Sequence, residues 1–278
     1  MTLGTATKHD YGEPSYWDQR YRQYPEPFDW YQKYQSLAPL FDLYLRRSHR
    51  LLLVGCGNSG LLSLRPRLLF PPPPTDSSRF ASETACSLDG SLGESMFNDG
   101  YQDVVNIDVS SIVIEAMQKK HMDKPGLKYI KVDVRDMDPF QSNSFDAVID
   151  KGTLDSLMCG HNALPNATKM LQEVGRQEVL KDKGVYILIT YGDPSYRLRM
   201  LRDIDLWTIN MHVIERIEKS SGQKTWELIT PLPLNEDGSS VAAVLRSNPE
   251  VHYIYVCIKD ESRRWHQSTE TNDIRNEQ

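Results

Sequence analysis

The stretch LLLVGCGNSG, from Leu51 to Gly60, decides the predicted fold of this chain. Its first four residues are an apolar run, which is typical of a strand buried on both faces in a parallel sheet. Gly55, Gly57 and Gly60 follow with G-x-G-x-x-G spacing, which lets a backbone approach a ligand closely because no side chain intervenes. A strand that feeds such a turn indicates an α/β protein with a nucleotide-like ligand at the strand's end.

Apolar segments on the C-terminal side of this turn extend the same pattern. They alternate with helical periodicity, and this alternation predicts a mostly parallel sheet with helices on both faces. Two late strands without a clear helix between them suggest a closing antiparallel hairpin. The predicted strands are Asp103–Asp108, Leu127–Asp133, Phe145–Asp150, Val185–Thr190, Trp207–Ile217 and His252–Lys259, and the predicted helices are Leu37–Leu45, Ser111–His121 and Ala167–Leu180, the last closed by Lys183 and Gly184.

The composition changes at three places along the chain. Residues 1–15 are polar and predict a flexible arm, and residues 260–278 predict a disordered tail. Residues 61–95 contain a proline run and a stretch rich in serine and small residues, so we predict a disordered insertion there. The domain itself is expected to cover residues 16–259. Its aromatic start, residues 16–34, is either a core helix or a lid over a ligand.

Composition and charge exclude several classes of protein. The chain has 278 residues and a formal net charge of -6, which argues against a dedicated nucleic-acid binder. It has no apolar stretch long enough to span a membrane and no signal-peptide pattern. Its four cysteines are scattered, so we expect reduced thiols, no metal site and a cytoplasmic protein. We also expect a monomer.

The carboxylate of Asp108 strengthens the ligand prediction. It ends the strand after the glycine turn, where an acid can accept hydrogen bonds from both ribose hydroxyls of an adenosine. The alternative is a tight turn beside an unrelated surface acid. The separation from Gly57 exceeds the roughly 20 residues expected in a βαβ unit, and removal of residues 61–95 restores about that spacing.

Two adenosine cofactors compete for such a site: a nicotinamide dinucleotide and S-adenosylmethionine. A pyrophosphate requires a helix N-terminus directly after the glycines. The residues that follow here, 61–66, read LLSLRP and make a poor dinucleotide helix. A sulfonium cofactor has no phosphate, and aromatic residues from the segment 16–31 would attract it through their ring faces.

The chain resembles the seven-stranded S-adenosylmethionine-dependent methyltransferases. More narrowly, it is similar to the protein-lysine methyltransferases that act on translation elongation factor 1-alpha and to their plant relatives. The resemblance covers residues 16–259 without the insertion and implies a Rossmann-like, seven-stranded sheet that is mostly parallel with a C-terminal antiparallel hairpin. The motifs that carry it are YWDQRY (16–21), FDWY (28–31), LLLVGCGNS (51–59), VVNIDVSSIVIEAM (104–117), VDVRDM (132–137) and FDAVIDKGTLDSL (145–157).

The resemblance also implies which residues meet the cofactor. The glycines would face its methionine part, Asp108 its ribose, and Asp133 its adenine edge. For Asp133 the alternative is a helix N-cap, and for Lys151 it is a solvated loop charge. The ten residues implied are Trp17, Tyr21, Trp30, Gly55, Gly57, Asp108, Val109, Asp133, Val134 and Lys151.

Methyl transfer from a sulfonium needs a positioned and desolvated nucleophile but no covalent enzyme intermediate. A lysine acceptor must first lose a proton, which a nearby carboxylate or tyrosine would assist. Asp150, Asp155 and Tyr191 follow predicted strands and are the candidates on the substrate side.

The sequence therefore predicts an S-adenosylmethionine-dependent methyltransferase that modifies a lysine of a protein such as a translation elongation factor. One alternative is an isoform that binds the cofactor but is catalytically impaired, because the insertion begins where the first helix should start. The other alternative is an NAD(P)-dependent oxidoreductase.

Overall fold

The computed structural model describes residues 11–24, 29–58, 91–175, 179–216, 227–245, 250–260 and 262. Within these residues the strands form one seven-stranded sheet in the order β3-β2-β1-β4-β5-β7-β6. The first five strands are parallel, and β7 is antiparallel to both β5 and β6. The strands are β1 (Arg50–Val54), β2 (Asp103–Asp108), β3 (Leu127–Lys131), β4 (Phe145–Lys151), β5 (Leu180–Thr190), β6 (Trp207–Glu215) and β7 (Val251–Lys259).

Helices cover both faces of the sheet. Alternate residues of β1 point to opposite faces: Leu51 and Leu53 meet α2, α3 and α4, whereas Leu52 and Val54 join the core beneath α5 to α8. The helices are α1 (Pro14–Gln23), α2 (Tyr34–Tyr44), α3 (Leu92–Asn98), α4 (Ser111–Lys120), α5 (Thr153–Met158), α6 (Ala163–Gly175), α7 (Pro194–Arg202) and α8 (Ser239–Leu245). None of them is long and apolar enough to cross a membrane.

The predicted architecture is confirmed, including the late antiparallel strands. β1 pairs with β2 on one side and with β4 on the other, so the strand order reverses at β1. In open α/β sheets, ligands bind outside the carboxyl ends of the strands at such a reversal. The fold therefore places the site above the ends of β1 and β4.

Two predicted boundaries need correction. The arm predicted for residues 1–15 is too long, because α1 begins at Pro14; residues 1–10 lie outside the described residues. The insertion predicted for 61–95 ends too late, because Ser91 caps α3 by accepting a hydrogen bond from the backbone N–H of Glu94. Its remaining part, like the predicted tail beyond Ser262, lies outside the described residues.

The helix predicted for Ala167–Leu180 is also wrong at both ends. α6 runs from Ala163 to Gly175, where a Cβ would lie 2.7 Å from the Trp207 ring. Lys183 and Gly184 do not close a helix. They lie inside β5, at an irregularity where the register against β4 shifts and Lys183 has a φ of 59°.

One further helix, between the last two strands, was not predicted from the sequence. α8 lies between β6 and β7, where we expected none.

Candidate functional site

One pocket of about 310 Å³ lies above the carboxyl ends of β1, β2 and β4. Its size is at the lower end of the range for small-molecule sites. All ten residues predicted to meet a cofactor line it: Trp17, Tyr21, Trp30, Gly55, Gly57, Asp108, Val109, Asp133, Val134 and Lys151. The structure therefore brings together residues that lie as much as 134 positions apart in the sequence (17 to 151).

The glycine turn forms the floor of the pocket. Gly55 and Gly57 have φ values of 63° and 59°, in the left-handed region that favours glycine. The Thr153 hydroxyl donates to the Val54 carbonyl at 2.9 Å, and a Cβ on Gly55 would lie 2.1 Å from that hydroxyl oxygen. Gly55 is therefore required for backbone conformation and for close packing against α5.

Asp108 closes the turn from the end of β2. One carboxylate oxygen accepts from the backbone N–H of Gly57 at 3.0 Å, and the other accepts from Ser110 at 2.9 Å. The side chain is almost fully buried, and this burial raises the pKa of Asp108 to about 6. Two carboxylate oxygens offer about four acceptor positions, and the backbone N–H of Val109 also bonds this carboxylate, so capacity remains for one ribose hydroxyl.

Asp133 is arranged differently. Its carboxylate is held by the Arg135 side chain at 2.7 to 3.1 Å and also accepts from the Arg135 backbone N–H at 2.9 Å. These bonds fill its acceptor positions and lower its pKa. Asp133 thus holds a local turn and does not cap a helix, so the helix N-cap alternative is wrong, and a contact of Asp133 with an adenine edge stays a prediction.

The aromatic helix α1 covers one side of the pocket. None of its residues is fully buried, although Tyr21 packs against the core, and Trp17 and Tyr21 line the pocket. The helix thus contacts both the core and the pocket, and its role as a lid stays a prediction. The Trp17 indole N–H donates to the Tyr11 carbonyl at 2.7 Å, and its ring lies 5.9 Å from the ring of Tyr21. Desolvation raises the pKa of Tyr21 well above its ordinary value, so its hydroxyl stays protonated beside Gly57.

A short segment, residues 29–32, fastens the second side of the cover and is called the strap below. Lys151 pairs with Asp29 and donates to the Trp30 carbonyl at 2.6 Å. The Tyr31 hydroxyl donates to Asp155 at 2.6 Å. Gln32 donates to the Glu215 carbonyl at 2.7 Å and to His252 Nδ1 at 3.1 Å. Consecutive residues of the strap thus contact β4, α5, β6 and β7.

The alternative prediction for Lys151, a solvated charge in a loop, is therefore wrong. Its side chain is 9% exposed and carries the ion pair with Asp29 at the pocket wall. Burial lowers the pKa of Lys151, and the Asp29 carboxylate opposes that effect.

The three substrate-side candidates do not line the pocket. Asp150 is fully buried and accepts from the backbone of Thr153 at 2.7 Å and from the Tyr186 hydroxyl at 3.0 Å. Burial raises the pKa of Asp150 to about 7. Its carboxylate holds the backbone N–H groups of Thr153 and Leu154 in the first turn of α5 and does not reach the pocket.

Asp155 is a hub of hydrogen bonds. Besides Tyr31, it accepts from the Thr190 hydroxyl at 2.6 Å and from the Tyr191 backbone N–H at 3.0 Å, and it pairs with Arg197. This carboxylate has no spare position from which to take a proton from an acceptor. We therefore replace the prediction of a catalytic Asp155 with a positioning role.

Tyr191 is 51% exposed and lies outside the pocket. Its ring lies 6.0 Å from that of Tyr31 and 5.7 Å from that of His252. The guanidinium of Arg216 stacks on it at 4.0 Å from the ring centroid.

Sequence reasoning missed several residues of the site. Asn58, Arg20 and Arg135 line the pocket, and Gln32 anchors the strap. Asn58 and Arg20 lie inside motifs already quoted and were within reach of the sequence, whereas Gln32 was not, because its partners are far away in the chain.

Comparison with known proteins identifies the family that this chain matches. The family described as a methyltransferase domain matches residues 89–248. The "eEF1A lysine and N-terminal methyltransferase" of Bos taurus is 30% identical over 77% of this chain and 27% of its own length. The "EEF1A lysine methyltransferase 4" of the same species is 31% identical over 68% of this chain and 65% of its own length. The chain thus spans about a quarter of the first relative and just under two thirds of the second.

Among solved structures, the N-methyltransferase NodS from Bradyrhizobium japonicum overlaps 82% of this chain and 86% of its own, with 11% identity and a TM-score of 0.43. An overlap at this level carries no functional information.

Proposed function

This chain belongs to the S-adenosylmethionine-dependent methyltransferases, and on that premise we propose that it methylates a lysine side chain of a protein. The names of the relatives support elongation factor 1-alpha as the acceptor. Family membership also removes the NAD(P)-dependent oxidoreductase from consideration. A cytoplasmic location and a monomeric state stay predictions.

The pocket fits an adenosine-containing sulfonium cofactor. The open backbone at Gly57 admits close approach, since among the described residues a Cβ there would meet only the Tyr21 hydroxyl, at 3.5 Å. Asp108 has acceptor capacity for the ribose, and Val109 and Val134 offer apolar contact for the adenine. Trp17 and Trp30 add aromatic surface, which is favourable next to a sulfonium.

When it is bound, the cofactor supplies an electrophilic methyl group on sulfur. The chain's own residues then have three tasks: to hold the donor, to exclude water and to align a neutral amine with the methyl carbon. Gly55, Gly57 and Asp108 hold the donor, while the strap and α1 cover it. No described side chain is required to form a covalent intermediate.

The observation that carries this proposal is the convergence of ten motif residues, from six separate segments, on one pocket. The test is transfer of a radiolabelled methyl group from S-adenosylmethionine to purified elongation factor 1-alpha, followed by mapping of the labelled residue. Label on a lysine supports the proposal. Label on another residue type, or binding of cofactor without transfer to this protein or to a cell extract, contradicts it.

An impaired isoform is the second candidate. Residues 59–90 separate the glycine turn from α3, and the family match begins at residue 89, beyond that turn. Saturable cofactor binding without transfer favours this candidate over the enzyme.

A further inference from the structure

The first turn of α3 forms part of the pocket wall. Leu92 and Gly93 line the pocket, and a Cβ on Gly93 would lie 2.2 Å from Asn106 Oδ1 in β2. The Asn106 side chain is buried, and its amide donates to the Lys128 carbonyl at 3.1 Å. The shape of this wall therefore depends on how closely the start of α3 approaches β2.

A carboxylate in the same turn is held by the end of α4. Glu94 accepts from Lys120 Nζ at 2.7 Å and from Lys124 Nζ at 3.1 Å, and we call these three residues the ion cluster. The Glu94 side chain is only 14% exposed, and the His121 ring lies beside it, with Nε2 3.6 Å from the carboxylate. Burial opposes the charge on Glu94, but the bonds to the two lysines outweigh burial and lower its pKa.

α4 is bonded to the pocket at its other end as well. The backbone N–H of Ser110, the residue before α4, donates to Asp108 at 2.9 Å, and the Ser110 hydroxyl donates to Asp18 of α1. One helix thus connects Asp108, the carboxylate predicted to hold the ribose, with the helix that carries Leu92 and Gly93. The ion cluster is the attachment of α4 to this second part of the pocket.

We propose that Glu94 is a positioning residue for cofactor binding. Through the ion cluster it fixes the first turn of α3 against the end of α4, so that Leu92 and Gly93 complete the wall that the bound cofactor contacts. Glu94 does not line the pocket, so it acts through that wall. The assignment rests on the cofactor in the proposed function and is independent of the acceptor.

The opposite end of α3 provides a matched control. Asp99 follows the helix and accepts from the Arg47 guanidinium and from the Tyr34 hydroxyl, and none of these three residues lines the pocket. Asp99 and Glu94 therefore both bond α3 to neighbouring elements. Only Glu94 lies in the turn that forms the pocket wall, so only its removal should change the affinity for the cofactor.

The test measures two quantities on each variant: the dissociation constant of S-adenosylhomocysteine by calorimetry, and the free energy of unfolding in urea. We expect Glu94→Gln to weaken binding about 3- to 10-fold and Asp99→Asn to change it less than twofold, although both lower the free energy of unfolding. An ion pair that merely stabilises the fold would change unfolding and leave the affinity of the folded protein as it is.

A double-mutant cycle then shows whether the effect passes through the lysines. Lys120→Met and Lys124→Met should each weaken binding by less than Glu94→Gln does. Either lysine variant combined with Glu94→Gln should add less than twofold, because the ion pair is already broken. Lys120→Arg keeps the cation and should bind as the wild-type protein does.

Unchanged affinity in Glu94→Gln would overturn the assignment, as would an equal loss of affinity in Glu94→Gln and Asp99→Asn. Losses that add fully in the cycle would also overturn it, since they would mean that Glu94 and the lysines act separately. Failure of the wild-type protein to bind S-adenosylhomocysteine is a different result, because it overturns the cofactor in the proposed function and this assignment with it.

Discussion

Asp108 shows how much one side chain contributes at the scale of the residue. It bonds the glycine turn and keeps an acceptor position for a ligand, so it links the floor of the pocket to its occupant. Asp103 lies at the opposite end of the same strand and pairs with Arg50 and Lys128. The two aspartates therefore offer a comparison within β2.

We expect Asp108→Ala to weaken S-adenosylmethionine binding about 10- to 100-fold, because hydrogen bonds to a charged group contribute about 1.5–3 kcal/mol. Asp103→Ala should leave binding unchanged. Calorimetry at pH 7.5 measures both. Equal affinity in Asp108→Ala and Asp103→Ala would exclude the ribose role.

The buried carboxylate of Asp150 predicts a pH dependence of stability. Its pKa of about 7 lies above the value near 4 of an unfolded aspartate. Between these values the folded protein holds a proton that the unfolded chain does not. The free energy of unfolding therefore falls as the pH rises through that window.

Asp150→Asn removes this titration. The stability of the wild-type protein relative to the variant should be greater at pH 5 than at pH 8, by on the order of 2–3 kcal/mol. Urea unfolding at the two pH values measures the difference. The other titrating groups are common to both proteins and cancel. A difference that is the same at pH 5 and pH 8 would mean that Asp150 titrates normally.

The pocket residues were predictable because most of them follow a strand directly, and the ends of parallel strands meet at one edge of a sheet. Gly55, Asp108 and Asp133 are of this kind. The role of Asp155 was not predictable, because it depends on Thr190 and Arg197, whose distance from Asp155 is set by the tertiary fold.

At the scale of the element, the strap is the least conventional part of the molecule. It has no regular secondary structure, yet its four residues are bonded to β4, α5, β6 and β7. Lys151 makes two of these bonds. It therefore affects the pocket through the cover, in addition to any contact with the cofactor.

Lys151→Met should weaken cofactor binding about tenfold while thermal unfolding moves by only a few degrees, because the strap loses its ion pair but the sheet does not. Lys183→Met removes an exposed ion pair with Asp260 and is the control. Measurements of cofactor binding and of thermal unfolding on both variants separate an effect on the pocket's cover from an effect on the stability of the sheet. Unchanged cofactor affinity in Lys151→Met would show that the pocket does not depend on this tie.

The elements that sequence analysis missed are short. α3, α5, α7 and α8 have only six to nine residues, which leaves little length for a helical period to emerge from neighbouring positions. The strands were easier, since their apolar runs lie between charged or glycine-rich turns. The end of α6 was missed because the helical spacing of apolar residues continues past Gly175. The helix ends at Gly175, which packs closely against the Trp207 ring, a contact between residues far apart in the sequence.

At the scale of the whole molecule, the connection between Asn58 and Ser91 separates two parts of one pocket, since Asn58, Leu92 and Gly93 all line it. Loop closure costs about 0.6 kcal/mol for each doubling of length. Deletion of residues 61–88 retains the cap of α3 and shortens this connection from 32 residues to four, which is three successive halvings of its length. It should stabilise the protein by about 2 kcal/mol and tighten cofactor binding.

Urea unfolding and calorimetry of the deletion variant measure both effects. A loss of stability would show that residues 61–88 contribute contacts of their own. Tighter cofactor binding together with restored methyl transfer would support the impaired-isoform candidate for the full chain.

The strap also has a consequence for synthesis on the ribosome. Its bonds join residues 121 to 220 positions apart, and the last partner, His252, lies in the final strand. At 5–20 residues per second, about 10 to 40 s pass between translation of Gln32 and of His252. During that interval the strap can bond Lys151 and Asp155 but not Glu215 or His252 until these are made, so the cover of the pocket is completed only when nearly the whole sheet has been synthesised.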